Sequence, residues 1–321
     1  MMLARALALL LIVWMLLPWA PAATAGPQVY VSNERSNDVT IIDAATDQVI
    51  ATVPVGARPR GLRLSPDGKI LYVALGQENK IALVDTASRK VASKIAAGTD
   101  PESFALSPDG GRLYVSNEDA STASVIDTRS GKILTAIPVG VEPEGVTVSP
   151  DGKLVYVTAE TTHTVSVIDA VALKVVATIL VGSRPREVAF APDGSLAYAT
   201  AEIGGAVSII DVKANKVIAT IKIDRPEAKP KGVVVHPSGK WVYVANGSSN
   251  DITVIDAQKN EVVGYVAVGK RPWGIGLTAD GKKLYVANGV DDSVSVVDTA
   301  SRTVTATIRV GQRPWGVSIG R

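Results

Sequence analysis

The chain is one sentence written seven times. Tyr30, Tyr72, Tyr114, Tyr156, Tyr198, Tyr243 and Tyr285 recur at a near-constant spacing, stretched once between Tyr198 and Tyr243, and an aspartate follows each at one fixed offset, from Asp43 to Asp298. A period of this size, about 42 residues, means one supersecondary unit stacked on copies of itself, each burying faces it cannot bury alone. Within one copy, "EGVTVSPDGKLVYVTAETTHTVSVIDAVALKVVATILVG" breaks into four short runs rich in Val, Ile and Thr, separated by SPDG, a polar stretch and a second turn. Such β-branched runs read as strands, the Pro, Asp and Gly of SPDG close a tight hairpin, and no run keeps a helical period. Seven four-stranded antiparallel units predict an all-β, seven-bladed β-propeller.

The ends of the repeat region predict how the ring closes. "QVYVSN" reads as a second strand and the terminal "PWGVSIGR" as a first strand. Residues Val317 to Ile319 are therefore expected as the innermost strand of the blade begun by Val29 to Ser32, which hides the edges and ties the ring shut.

The segment 1–25, with a basic start at Arg5, an apolar run from Ala6 to Leu17 and Ala23-Thr24-Ala25 before Gly26, fits a cleaved secretory signal, leaving one domain over 26–321 and a periplasmic location. The apolar run is shorter than the roughly 20 residues of a membrane helix. All three methionines lie in this leader and the chain has no cysteine, so a disulfide, a thiolate nucleophile, a cysteine metal site and a covalently attached haem are excluded. With the leader removed, 32 basic residues face 31 acidic ones, which offers no bulk attraction to a polyanion.

In such a blade the SPDG turns lie on one face and read as scaffold, while the crossings between blades lie on the other, at the mouth of the central channel. Loops on a rigid frame carry recognition. The residues after the crossing prolines, Arg60, Glu102, Glu144, Arg186, Lys231, Trp273 and Trp315, should ring that mouth. Those before them are Arg58, Asp100, Glu142, Arg184, Lys229, Arg271 and Arg313, and the second-to-third-strand loops add Glu34, Glu118, Glu160 and Glu202 to the rim. Acidic, basic and aromatic members fall in separate arcs. The tryptophans read as stacking platforms; the competing reading makes the charged residues solvated loop groups that neutralise one another. His236 sits in a scaffold turn, and His163 lies on the mouth face without a second histidine near it in sequence.

The segments "LYVAN", "SVIDTAS", "ATIPVG" and "SPDGK" resemble the YVTN-repeat β-propeller family over essentially the whole repeat region, and "DPESFALSPDG", "VGVEPEGVTVSPDG", "AEIGGAVSIIDV" and "RPWGV" look like the propellers associated with PQQ-dependent catabolism. That resemblance implies a setting of periplasmic PQQ-dependent alcohol oxidation and an associated transport system as partners, with no catalytic residues and without PQQ as a bound prosthetic group. The main expectation is accordingly a non-enzymatic binding or interaction module, accessory to alcohol oxidation, that holds a small ligand or a protein at the mouth. An alternative is a calcium-dependent hydrolase or lactonase, with Glu102, Glu144, Glu118 and Asn117 offering hard oxygen ligands. A further alternative is a binder of single-stranded nucleic acid, with Trp273 and Trp315 stacking on bases and Arg58, Arg60, Arg271 and Arg313 meeting phosphate.

Overall fold

A computed structural model of the protein describes residues 26–320; the expected secretory leader lies outside the described residues. The chain forms seven four-stranded antiparallel sheets, and the single 3-10 turn among these residues is Gly76–Glu78. Six blades are consecutive in sequence. The seventh joins Pro314–Ile319 to Gln28–Asn33, with Val29 opposite Ile319, Tyr30 opposite Ser318 and Val31 opposite Val317, so the ring closes as the repeat pattern predicts. We number the blades I to VII, blade I being the composite one. The innermost strands, beginning at Pro314, Pro59, Pro101, Pro143, Pro185, Pro230 and Pro272, each pack on the next around the axis.

The constant residues of the repeat build the blade. In SPDG, Ser65 Oγ donates to Asp67 Oδ1 and accepts from the Ile70 N–H, while Gly68 takes φ 70°, where a side chain would be strained. The periodic aspartate caps the outer turn: Asp43 Oδ1 accepts the N–H groups of Ala45 and Thr46 at 2.9 Å. The periodic tyrosines are all buried between blades. The longer crossing into blade VI lies against its outermost strand, where the Arg225 guanidinium stands 4.0 Å over the Tyr265 ring and pairs with Asp251 at 3.3 Å.

One irregularity recurs in every blade and places the candidate site. The register of each innermost strand slips just after its proline, as between Pro143, opposite Ala159, and Val146, opposite Val157. A β-bulge re-aims the side chains that it carries. Here it carries the residue after the proline, together with the one that follows.

Candidate functional site

The bulge frees an N–H from the strand ladder, and in four blades a hydroxyl from the second strand fills it. Thr158 Oγ1 accepts the Gly145 N–H at 2.8 Å and donates to the Arg186 carbonyl of the next blade at 2.9 Å. Ser116, Ser32 and Thr200 make the same relay to the carbonyls of Glu144, Arg60 and Lys231. The backbone carbonyls of four of the charged mouth residues are therefore held by a side-chain hydroxyl of the preceding blade.

The seven residues Arg60, Glu102, Glu144, Arg186, Lys231, Trp273 and Trp315 form a ring, joined by contacts at every step except between the like-charged Glu102 and Glu144. Arg60 pairs with Glu102, and Glu144 with Arg186. Arg186 and Lys231 share Glu202, at 2.5 and 2.8 Å. Lys231 Nζ lies 3.6 Å from the centre of the Trp273 ring, Trp273 lies 6.1 Å from Trp315, and the Arg60 guanidinium closes the circle 5.7 Å from Trp315. The acidic and basic arcs interlock where they meet.

The rim residues reinforce it. Arg58 reaches Asp100 at 2.6 Å and Glu102 at 3.1 Å, Arg60 also holds Glu34 at 2.9 Å, and Glu160 takes both Arg184 and Arg186. Glu118 joins the Asp100 and Glu102 group. Glu142 stands apart, exposed and bonded to the Thr161 hydroxyl. His163 Nδ1 lies 2.7 Å from the Glu160 carbonyl and His236 bonds Ser238 in its turn, so both serve local structure.

Burial sets the protonation of this ring. Glu102 is buried, and burial raises its carboxyl well above the usual range against the pull of Arg60. Glu144 and Glu160 share a hydrogen bond around Arg186. Burial opposes the charge on both, yet Arg186 holds Glu144 below its ordinary value, while Glu144 beside it pushes Glu160 up. Glu202 sinks to about 2 despite burial, because Lys231 and Arg186 both face it. Lys231 nonetheless falls to about 8, since burial and the neighbouring Arg186 cation outweigh Glu202.

This arrangement is a plug of satisfied charges. The oxygens of Asp100, Glu102 and Glu118 come within 4.8 Å of one another, but Arg58 already pairs with Asp100 at 2.6 Å and Glu102 at 3.1 Å, taking carboxylates that calcium would need, so the group does not fit calcium. Arg58 and Arg60 are likewise occupied by carboxylates and are not free for phosphate.

Beneath the plug lies a cavity of 460 Å³ on the axis, bounded by Trp315 at the mouth end and by Pro150, Pro192 and Pro237 of the scaffold turns at the other. The second residue after each crossing proline lies at its wall or beside it: Gly61, Ser103, Gly145, Glu187, Gly232, Gly274 and Gly316. The glycines are steric, because a Cβ on Gly274 would lie 2.3 Å from the Trp315 carbonyl and one on Gly232 2.4 Å from that of Trp273. Glu187 breaks the pattern with a carboxyl, half-buried because it faces the cavity. Arg63, from the opposite side of the ring, is the one basic residue among the described residues lining the cavity, and Glu187 is the one acidic residue. Burial lifts the Glu187 carboxyl to about 7, with Arg63 opposing the rise and Glu144 adding to it. Sequence comparison of the residues flanking the prolines misses this pair; the signal is a single Glu in a column of Gly and Ser.

The model of the seven-bladed β-propeller lactonases matches residues 25–136 and 172–309, and that of the YNCE-like β-propellers matches residues 102–195. No curated protein matches the sequence. Among solved structures, hydrazine synthase of Kuenenia stuttgartiensis aligns with a TM-score of 0.75 and 24% identity over 81% of this chain and 89% of that one. A putative 6-phosphogluconolactonase of Bacteroides fragilis aligns at 0.76 and 20% identity over 94% and 100%. The dihydro-heme d1 dehydrogenase NirN, in complex with DHE, aligns at 0.67 and 20% identity over 88% and 63%. These likenesses establish the fold. The lactonase match overturns the expectation of a non-enzymatic accessory to PQQ-dependent alcohol oxidation, which rested on repeat wording that builds blades rather than sites.

Proposed function

Because the chain belongs to the seven-bladed β-propeller lactonase family, we propose that it is a metal-independent lactone hydrolase working in the axial cavity, with Glu187 as general base and Arg63 as the stabiliser of the oxyanion. One observation carries the reading: among the described residues, Glu187 is the only acid and Arg63 the only base lining the cavity, and burial lifts the Glu187 carboxyl to about 7 even though Arg63 pulls it down. A general base is most effective when its pKa lies near the working pH, and the cavity is of the size that encloses a small ligand.

The chemistry is ester hydrolysis. Glu187 removes a proton from water as the water oxygen bonds to the lactone carbonyl carbon. The carbonyl electron pair moves onto oxygen, where the Arg63 guanidinium and the unpaired inner edges of the innermost strands offer donors. Collapse of this intermediate breaks the ring C–O bond, and Glu187 returns its proton to the departing oxygen, giving the hydroxy acid. The leader-like start supports placing this activity in the periplasm.

A panel of γ- and δ-lactones followed by acid release in a pH-stat tests the proposal. Turnover of at least one member, lost in Arg63→Gln, is expected; no turnover of any member by folded protein would overturn it.

A further inference from the structure

The mouth holds a second, separate feature that the hydrolase reading does not use. A cleft of 140 Å³ lies between blades VII, I and II, walled by Trp273 and Trp315 and rimmed by Arg60, Arg271, Arg313 and Glu34. Its charge is unbalanced: Arg60 is paired with Glu34 at 2.9 Å and with Glu102, which leaves Arg271 and Arg313 without a carboxylate.

The imbalance is local to this side of the ring. At the equivalent positions of other blades, Arg58 pairs with Asp100 and Arg184 with Glu160. Among the described residues, no carboxylate lies within 4.0 Å of Arg271 or Arg313, and both are exposed. Their backbones are nevertheless fixed. The Arg271 N–H donates to Asn250 Oδ1 at 2.9 Å and the Arg313 N–H to Asp292 Oδ1 at 2.8 Å. Their carbonyls accept the N–H groups of Gly289 and Glu34, each at 2.9 Å. Two exposed cations on fixed backbones, neither paired with a carboxylate and one of them, Arg271, lying 5.1 Å over the Trp273 ring, offer an anion two charged donors at one opening.

An independent observation points the same way. Trp315 is 8% exposed, and its indole Nε1–H has no acceptor in the protein. Buried donors are almost always satisfied, and Trp315 walls the cleft that Arg271 and Arg313 rim, so this lone N–H and the two guanidinium groups together suit a ligand that accepts hydrogen bonds.

We propose that this cleft binds a small oxyanion, its oxygens bridging Arg271 and Arg313 beside the Trp273–Trp315 pair. A carboxylate and a phosphate share the required chemistry: negative charge, planar or tetrahedral oxygens and a volume that the cleft admits. Among the described residues, Trp315 is the one that lines both this cleft and the axial cavity, and its ring forms the wall between them.

The test is a titration of tryptophan fluorescence with sodium malonate and, separately, with inorganic phosphate at constant ionic strength, since Trp273 and Trp315 report directly on the cleft. A saturable change with either anion is expected, weakened at least about tenfold in Arg271→Gln/Arg313→Gln and unaltered in Lys153→Gln, an exposed control on the other face. Response to malonate alone assigns the site to carboxylates, and response to phosphate alone to phosphate groups. Thermal melting establishes that the double variant is folded, and Arg313→Lys, which keeps the charge, should retain part of the affinity. The absence of saturation with both anions, or an undiminished response in the folded double variant, would overturn the proposal.

Discussion

Gly145 and Glu187 occupy equivalent positions on adjacent innermost strands, and a Cβ built on Gly145 would lie 2.8 Å from the Glu187 Cα. The strands approach each other so closely near the axis that the blade next to the catalytic candidate must carry glycine there. Gly145→Ala is expected to cost about 1–3 kcal/mol, the usual penalty of overpacking a filled site. Urea denaturation measures it; a loss below about 0.5 kcal/mol would show that the inner strands spread freely.

Arg186 holds three carboxylates, Glu144, Glu160 and Glu202, with its own side chain 11% exposed and theirs no more than 10%. Removing it strands these carboxylates in a protein environment. Arg186→Met should destabilise the fold by about 3–5 kcal/mol, and adding Glu144→Gln and Glu160→Gln should recover much of that loss. Equal stabilities for the single and triple variants would refute the account of the plug.

Thr158 is buried and joins the bulge N–H of its own blade to the Arg186 carbonyl of the next. Thr158→Val keeps the shape and leaves both groups unsatisfied. A loss of about 1–3 kcal/mol is expected by chemical denaturation. The relay is dispensable elsewhere in the ring, because Ala74, Ala245 and Ala287 stand at the matching positions of blades II, VI and VII.

Much of this was legible in the sequence. The repeat period fixes the number of blades, and the composite blade follows from where the repeat is cut. The period also holds the ion pairs: Arg58 with Asp100, Arg60 with Glu102 and Glu144 with Arg186 are each one repeat apart, because equivalent positions on neighbouring blades touch. Reading the slot as separate arcs hides this, since the borders between arcs are where opposite charges meet. The cavity pair was harder to see. Arg63 and Glu187 come from blades on opposite sides of the axis, and only the diameter of the ring, which a repeat period does not state, puts them within electrostatic reach.

The raised Glu187 carboxyl also makes a statement about stability. Its ordinary value is 4.5 and its value in the fold is about 7, so the folded state binds the proton more tightly. The stabilisation is fully present below about pH 4.5 and is lost as pH rises through about 7. Glu187→Gln is free of that loss. The melting temperature of Glu187→Gln relative to the parent protein should therefore increase between pH 5 and pH 8; a constant difference would mean that Glu187 titrates normally.

The most direct test of the hydrolase account is the pH dependence of kcat/KM for lactone opening by the parent protein and by Glu187→Gln. With Glu187 as the base, kcat/KM should rise about tenfold per pH unit below about 7 and level off above it, and Glu187→Gln should lower the plateau by roughly 10²–10⁴-fold. A profile without an inflection near pH 7, or a Glu187→Gln variant as active as the parent, would contradict it.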